Sequence, residues 1–353
     1  MDGNAIVLTS GLLDTKNAKT AHGLIRGTER YNIVGIIDDK FEGQDAGEVL
    51  DGKKRNIPIY KSVEAFHSES PKKADYLIIG IATKGGYLPS EMVDYIKSAI
   101  KIGCSIVSGL HEFLEDKPEI VELAKVNKVD LIDVRKPKPS KELHFWNGSI
   151  SKVTTPIVAV IGTDCNMGKR TTSRFLMEAM REKGYNAHMI YTGQTGWMQG
   201  GKYGFIFDST LNDFISGEVE HAIVSCFENE NPDIIFLEGQ SALRNPNGPC
   251  GAEFLISGNA EYTILQHDPV RKYFQGCEGY KVTIPTLQEE IDLIKIYRSE
   301  TIGVTLNTKE VNEEQARAFQ VENEKALNIP VVAPLFDGVD RIVEAIEKKI
   351  LKK

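Results

Sequence analysis

The stretch GTDCNMGKRTT, Gly162 to Thr172, follows the apolar run PIVAVI and opens a segment with helical apolar spacing. Amides turned inward between Gly162 and Gly168, with Lys169 at the start of the helix, form the kind of cradle that holds a phosphate. Thr163, Asp164 and Asn166 lie inside the turn, and Thr171 and Thr172 follow it. Five residues separate the glycines instead of the usual four, and Arg170 stands where a Ser or Thr normally binds magnesium. Two readings stay open: Thr171 or Thr172 takes over the metal contact, or the cradle works without a metal.

Other residues of chemical interest also fall just after apolar runs. Glu238 closes PDIIFLE, where a carboxylate can act as a base or orient a metal-bound water. His267 closes YTILQH as a second candidate base, and Asn307 ends TIGVTLN, where its amide can read an adenine edge or cap a turn. The segment YTGQTGWMQGGKYG carries five glycines with Gln194 and Thr195, so it is expected to wrap a ligand or to serve as a lid. Amides near Gly193 and Gly196 are candidate donors to a developing oxyanion.

In the first half, Lys16 and Lys19 lie near a helix start and could hold an anion. Gly85 and Gly86 are expected to open a helix with free first amides. His111 and Glu112 follow a fourth strand, and LIDVRKP carries Asp133 and Arg135. Together these suggest a second polar site. A dinucleotide fingerprint would need G-x-G-x-x-G after the first strand; only Gly11 is there, so nicotinamide binding is weakly supported although Asp38 closes the second strand.

These positions need a framework. Short β-branched runs alternate with amphipathic stretches in both halves, which implies parallel sheets covered by helices. The fold class expected is α/β: two doubly wound domains, a Rossmann-like one over residues 1–138 and a P-loop NTPase-like one over 156–353. Residues 139–155, rich in Pro, Lys and Ser, read as the linker between them. The length of 353 residues agrees with two domains. The formal charge of −8 argues against a nucleic-acid partner, and no apolar run is long enough to cross a membrane. Five scattered cysteines without a C-x-x-C pair read as reduced thiols. With no secretory pattern at the N-terminus, a cytoplasmic protein is expected, and two-domain enzymes of this size commonly form homo-oligomers.

The ordered set AKTAHGLIR, IGIATKGG, SGLHEFL, DVRKP, GTDCNMGKRTT, TGQTG, LEGQSAL, LQHDPVR and LNT resembles the bacterial family that includes D-glutamate N-acetyltransferase. Its members pair a Rossmann-like N-terminal domain with a P-loop C-terminal domain. The resemblance implies acetyl transfer from acetyl-coenzyme A to the amino group of a small amino acid. Glu238, His267 and His111 are then the candidate bases. Residues 162–164, 166 and 168–172, with Asn307, would hold the cofactor, while Lys16, Lys19, Arg135, Gly85, Gly86, Gln194 and Thr195 would bind the substrate across a domain cleft. The chain departs from the pattern at Asn245, where members tend to carry a His. The phosphate loop also resembles that of dethiobiotin synthetase, which implies an alternative. That enzyme would use ATP with magnesium, held by Thr171 and Glu238, for ligation or phosphoryl transfer; a nucleotide-binding protein without chemistry is a further option.

Overall fold

The computed structural model describes residues 2–352, which form two compact units. The first comprises residues 1–137 with 193–201, and the second residues 138–192 with 202–353.

The first unit is built on six parallel strands, β1 (Gly3–Leu8), β2 (Tyr31–Ile37), β3 (Ile59–Tyr60), β4 (Tyr76–Ile79), β5 (Ser105–Ser108) and β6 (Leu131–Asp133). Their order is β3-β2-β1-β4-β5-β6, the Rossmann order, with its switch point between β1 and β4. Alternate residues of one strand feed opposite faces: Ile6 and Leu8 pack in one core, Ala5 and Val7 in the other. Each such fully buried aliphatic side chain contributes roughly 1.5–3 kcal/mol, which is why the strands read as continuous apolar runs.

The second unit holds seven parallel strands, β7 (Ile157–Gly162), β8 (Ala187–Tyr191), β9 (Tyr203–Gly204), β10 (Ile234–Glu238), β11 (Tyr262–His267), β12 (Glu300–Leu306) and β13 (Val331–Val332). Their order is β13-β12-β11-β7-β10-β8-β9. Every residue of β7 is buried, with Ile157, Ala159 and Ile161 on one face and Val158 and Val160 on the other. The chain leaves β7 in one direction and returns on both sides, so the C-terminal ends of β10, β7 and β11 lie side by side. Ligands gather at such a reversal. No helix among the described residues is long and apolar enough to cross a membrane.

Three sequence expectations need correction. Residues 139–155 belong to the second unit and are firmly held: Glu218, 2% exposed, accepts from the amide of His144 (3.0 Å), and Glu220 accepts from the amides of Asn147 (2.7 Å) and Ile150 (3.0 Å). Low apolar content came from backbone anchoring by buried carboxylates, not from mobility. The glycine-rich segment after β8 is packed rather than an open loop. It forms a short helix, Gln194–Met198, within the first unit, where Met198 enters the core, Arg30 stacks on Trp197 (4.1 Å) and Gln199 donates to the carbonyls of Gly23 and Gly27 (2.9 Å each). Gly200 serves close packing, since a Cβ there would lie 2.9 Å from the Glu29 Cβ. Lastly, Gly85 and Gly86 do not open a helix; they end a single 3-10 turn, and the helix Met92–Lys101 begins beyond Pro89, whose ring disfavours helical backbone before it.

Candidate active site

The phosphate loop joins β7 to the helix Lys169–Glu182. Gly168 takes φ of +105°, a left-handed conformation that favours glycine, and this turns the chain into the helix. Thr163 donates its amide to the Gln266 carbonyl (3.0 Å), which ties the loop to β11. Among the described residues, the amides of Asp164, Cys165, Met167, Gly168 and Lys169 donate to no protein acceptor. A run of uncommitted amides at a helix N-terminus is what an anion requires.

Lys169 is 7% exposed, and its Nζ donates to the carbonyls of Asp164 and Ser241, each at 2.8 Å. An ammonium has three donors, so one remains for a ligand. Burial pulls its pKa below the ordinary lysine value, opposed by the field of neighbouring acids and thiols. Thr172 turns inward and donates to Gln266 Oε1 (2.6 Å), which also accepts from Thr305 (2.7 Å). Thr172 is thereby a structural tie in this state, while Thr171 is half-buried.

Asp164 is fully buried and organises the loop from within. It accepts from Asn245 Nδ2 (2.8 Å), Arg271 Nη1 (3.0 Å) and the Gln275 amide (2.8 Å). Arg271 also donates to the Cys165 carbonyl (2.7 Å). Asn245, the residue that departs from the family pattern, is therefore part of the loop's scaffold. Asn166 donates to Gln275 Oε1 (2.8 Å). Asn307 donates to the Asn166 carbonyl (3.3 Å) and caps its own turn by accepting from the Lys309 amide (3.0 Å).

Glu238 ends β10, one strand from the loop, and is 5% exposed. Burial raises its pKa to about 6, against the lowering charge of Arg170, the Thr192 amide that donates to Oε2 (3.0 Å), and Lys169; Asp208 adds to the rise. A carboxylate with that pKa is matched to base catalysis near neutrality. Gln240 fixes Thr192 by donating to its hydroxyl (2.9 Å), and that hydroxyl donates to the Glu238 carbonyl (2.8 Å). His267 is placed differently. Its ring lies on Phe319, Nδ1 is bonded to the Thr163 hydroxyl (2.9 Å), and burial, aided by the charge of Arg271, lowers its pKa to about 4. So weak a base suits neutral positioning of Thr163 better than proton abstraction.

In the first unit the expected polar residues do not form one exposed set. Lys16 and Lys19 are exposed, whereas Arg135 is buried, donating to the Gly109 carbonyl (2.7 Å) and to Gln194 Oε1 (2.9 Å). Thr195 is buried against the Thr20 hydroxyl (3.2 Å). Arg135, Gln194 and Thr195 thus bind the short helix into its unit, which leaves them committed to protein partners. His111 is exposed, and its amide donates to the Gly86 carbonyl (3.0 Å). Asp133 accepts from the amides of Leu114 and Glu115 (3.1 Å each), with burial raising its pKa. Asp38 accepts from the Thr9 hydroxyl (2.7 Å) and the amides of Leu13 and Lys40 (3.2 and 3.1 Å), the pattern of a structural cap.

Sequence reasoning passed over Gln266, Arg271, Gln275, Thr192 and the scaffold role of Asn245. Gln266 alone had a local signal, a long amide inside the apolar run TILQH.

Residues 144–343 match the family model described as a domain of unknown function (DUF1611_C), P-loop domain, and residues 39–137 match its companion, the DUF1611_N Rossmann-like domain. A protein of Tritonibacter scottomollicae named D-glutamate N-acetyltransferase is 30% identical over 280 residues, 77% of this chain and 81% of that protein. One of the same name from a Pseudoalteromonas species is 31% identical over 277 residues, 76% of this chain and 80% of its own. The crystal structure of a DUF1611 family protein from Anabaena variabilis aligns with a TM-score of 0.87 at 28% identity, covering 98% of this chain and 99% of the other. Sequence and architecture agree over both halves, and the chain belongs to the DUF1611 family of paired Rossmann-like and P-loop domains.

Proposed function

We propose that this chain is an N-acyltransferase that moves acetyl from acetyl-coenzyme A to the amino group of an amino acid of the D-glutamate class. The observation that carries this reading is the make-up of the cradle: uncommitted amides, the remaining donor of Lys169, and Arg170 in the position where a magnesium ligand usually stands. Two cations and a ring of amides suit the phosphates of a coenzyme A ester without a metal. The names carried by the two relatives support acetyl as the group transferred.

In this scheme Glu238, ionised above pH 6, accepts a proton from the substrate ammonium. The freed amine adds to the thioester carbonyl; the C–N bond forms, the C–S bond breaks, and the coenzyme leaves as its thiol. With its phosphates on the loop, the coenzyme would serve this scheme if its thioester reached Glu238 at the end of β10.

A second reading rests on the same neighbourhood. Glu238 sits within the electrostatic reach of Lys169 and Arg170, where a carboxylate of a nucleotide-using P-loop enzyme would also act. One experiment separates the two. Purified protein is mixed with acetyl-coenzyme A and D-glutamate in EDTA, and in parallel with ATP, magnesium and D-glutamate. Amino-acid-dependent release of free thiol in EDTA is the result expected. Thiol release that never exceeds the blank for any of a panel of D- and L-amino acids would overturn the proposal, and phosphate release in the parallel arm would install the second reading.

A further inference from the structure

Outside the candidate site, the second unit carries an apolar surface. Phe145 is 65% exposed, Trp146 50%, Leu211 52%, Ile256 61% and Ile296 77%. They are neighbours. Phe145 packs on Phe214 (4.4 Å between ring centres), three residues from Leu211, and Trp146 Nε1 donates to the Ser257 carbonyl (3.3 Å), next to Ile256. Ile256 and Ile296 line one shallow cavity together with Glu261 and Arg298.

The two aromatic residues are not exposed through slackness. The segment that carries them is fixed on both sides by Glu218 and Glu220, both 2% exposed, from the helix Asn212–Glu230. Glu218 binds the amide and the ring of His144 (3.0 and 2.7 Å) and the Lys138 ammonium (3.0 Å), and the His144 ring stacks on His221 at 3.6 Å. Gly217 permits the approach, since a Cβ there would lie 1.9 Å from the His144 carbonyl oxygen. Two buried carboxylates thus hold a Phe and a Trp facing outward.

We infer that this face is the contact surface between two copies of the chain, related by a two-fold axis. Two observations favour a second copy over a different partner. The first is area. At roughly 150–250 Å² for a large side chain, the five exposed fractions amount to roughly 500–600 Å² per protomer, most of the roughly 800 Å² per partner of a standard interface, with the polar rim supplying the rest. The second is charge. Glu261 and Arg298 are both exposed on the cavity wall, and a two-fold axis can set opposite signs against each other reciprocally, whereas a strongly charged foreign partner would call for a rim of one sign. Aromatic anchors inside a mixed polar rim are the usual anatomy of such contacts.

The test is sedimentation velocity of the full-length chain across a wide concentration range, for the wild type, for Phe145→Asp with Ile256→Asp, and for Tyr280→Asp as a control at an exposed tyrosine elsewhere. Circular dichroism checks that each variant is folded. The expected result is a dimeric wild type and control, with dimer association at least roughly tenfold weaker in the double variant. A single substitution, Trp146→Ala, gives the same direction by a route that adds no charge. A monomeric wild type, or a dimer that neither change weakens, overturns the inference; binding of some other protein to this face would show as the first of these outcomes.

Discussion

Replacing Glu238 with Gln separates the electrostatic cost of the buried carboxylate from every other effect of the change. The pKa of Glu238 rises from 4.5 to about 6, chiefly through burial, so its charged form is disfavoured in the folded protein. Below pH 4.5 the carboxyl is neutral whether the chain is folded or unfolded. Between 4.5 and 6 the unfolded chain loses its proton first, and folding stability falls with rising pH. Above 6 the loss is complete, at about 2 kcal/mol on a scale of about 1.36 kcal/mol per tenfold change in proton affinity. Gln has no charge to desolvate, and its carbonyl can still accept from the Thr192 amide. Whatever constant offset the substitution introduces, the stability of Glu238→Gln relative to wild type must therefore climb by about 2 kcal/mol from pH 4 to pH 7. For a unit of this size that is roughly 4–8 °C in Tm. The assay is a pair of melting series, wild type and variant, across that range in one mixed buffer. A difference that is flat with pH, or that falls, refutes the assignment of a raised carboxylate pKa and with it the case for Glu238 as base. The same variant is expected to lose activity by a factor of about 100 to 10,000.

His267 has the opposite slope. Its pKa drops from 6.5 to about 4, so it contributes stability that is present above pH 6.5 and lost as pH falls toward 4, about 3 kcal/mol in all; His267→Gln should flatten that part of the melting profile while leaving the activity limb near pH 6 in place. Asp164→Ala removes the carboxylate that the buried Asn245 amide and the Gln275 amide share with Arg271, and chemical denaturation should register a loss of roughly 3–5 kcal/mol. Lys169→Ala should weaken binding of coenzyme A, measured by calorimetry, by at least roughly tenfold, since it deletes the charged donor of the cradle. Trp197→Ala takes away the ring beneath Arg30 and part of the first unit's core, and a loss of roughly 3–5 kcal/mol is expected in its unfolding transition.

The two parallel sheets were legible because buried parallel strands carry continuous β-branched runs, as in YNIVGII and PIVAVIG, and because amphipathic stretches separate them. The strands β3 and β9 were not, since two residues carry no periodicity, whereas β13, equally short, showed through the apolar run PVVAPLF. Of the candidate site, the loop and the strand-end position of Glu238 followed from local pattern, but its tuning did not: burial and the charges of Arg170, Lys169 and Asp208 converge from separate elements. The clamp on Asp164 was equally silent, because Arg271 and Gln275 lie more than a hundred residues along the chain. Glycines alone did not reveal the short helix within residues 193–201. The same residue type that lets a backbone approach a ligand also lets a short helix sit tightly against a neighbouring one, and only tertiary packing distinguishes the two uses.

That short segment has a consequence for biosynthesis. The Rossmann-like sheet is complete once residue 137 has left the ribosome, yet Met198, which belongs to its core, is made only after β7, the phosphate loop and β8 have been translated. The amino-terminal half must wait, partly open, for a plug encoded inside the other half. Cutting the gene at the apparent boundary would accordingly yield two fragments, one with a hole in its interior and one with an orphaned greasy loop, so neither half is a sound choice for separate expression.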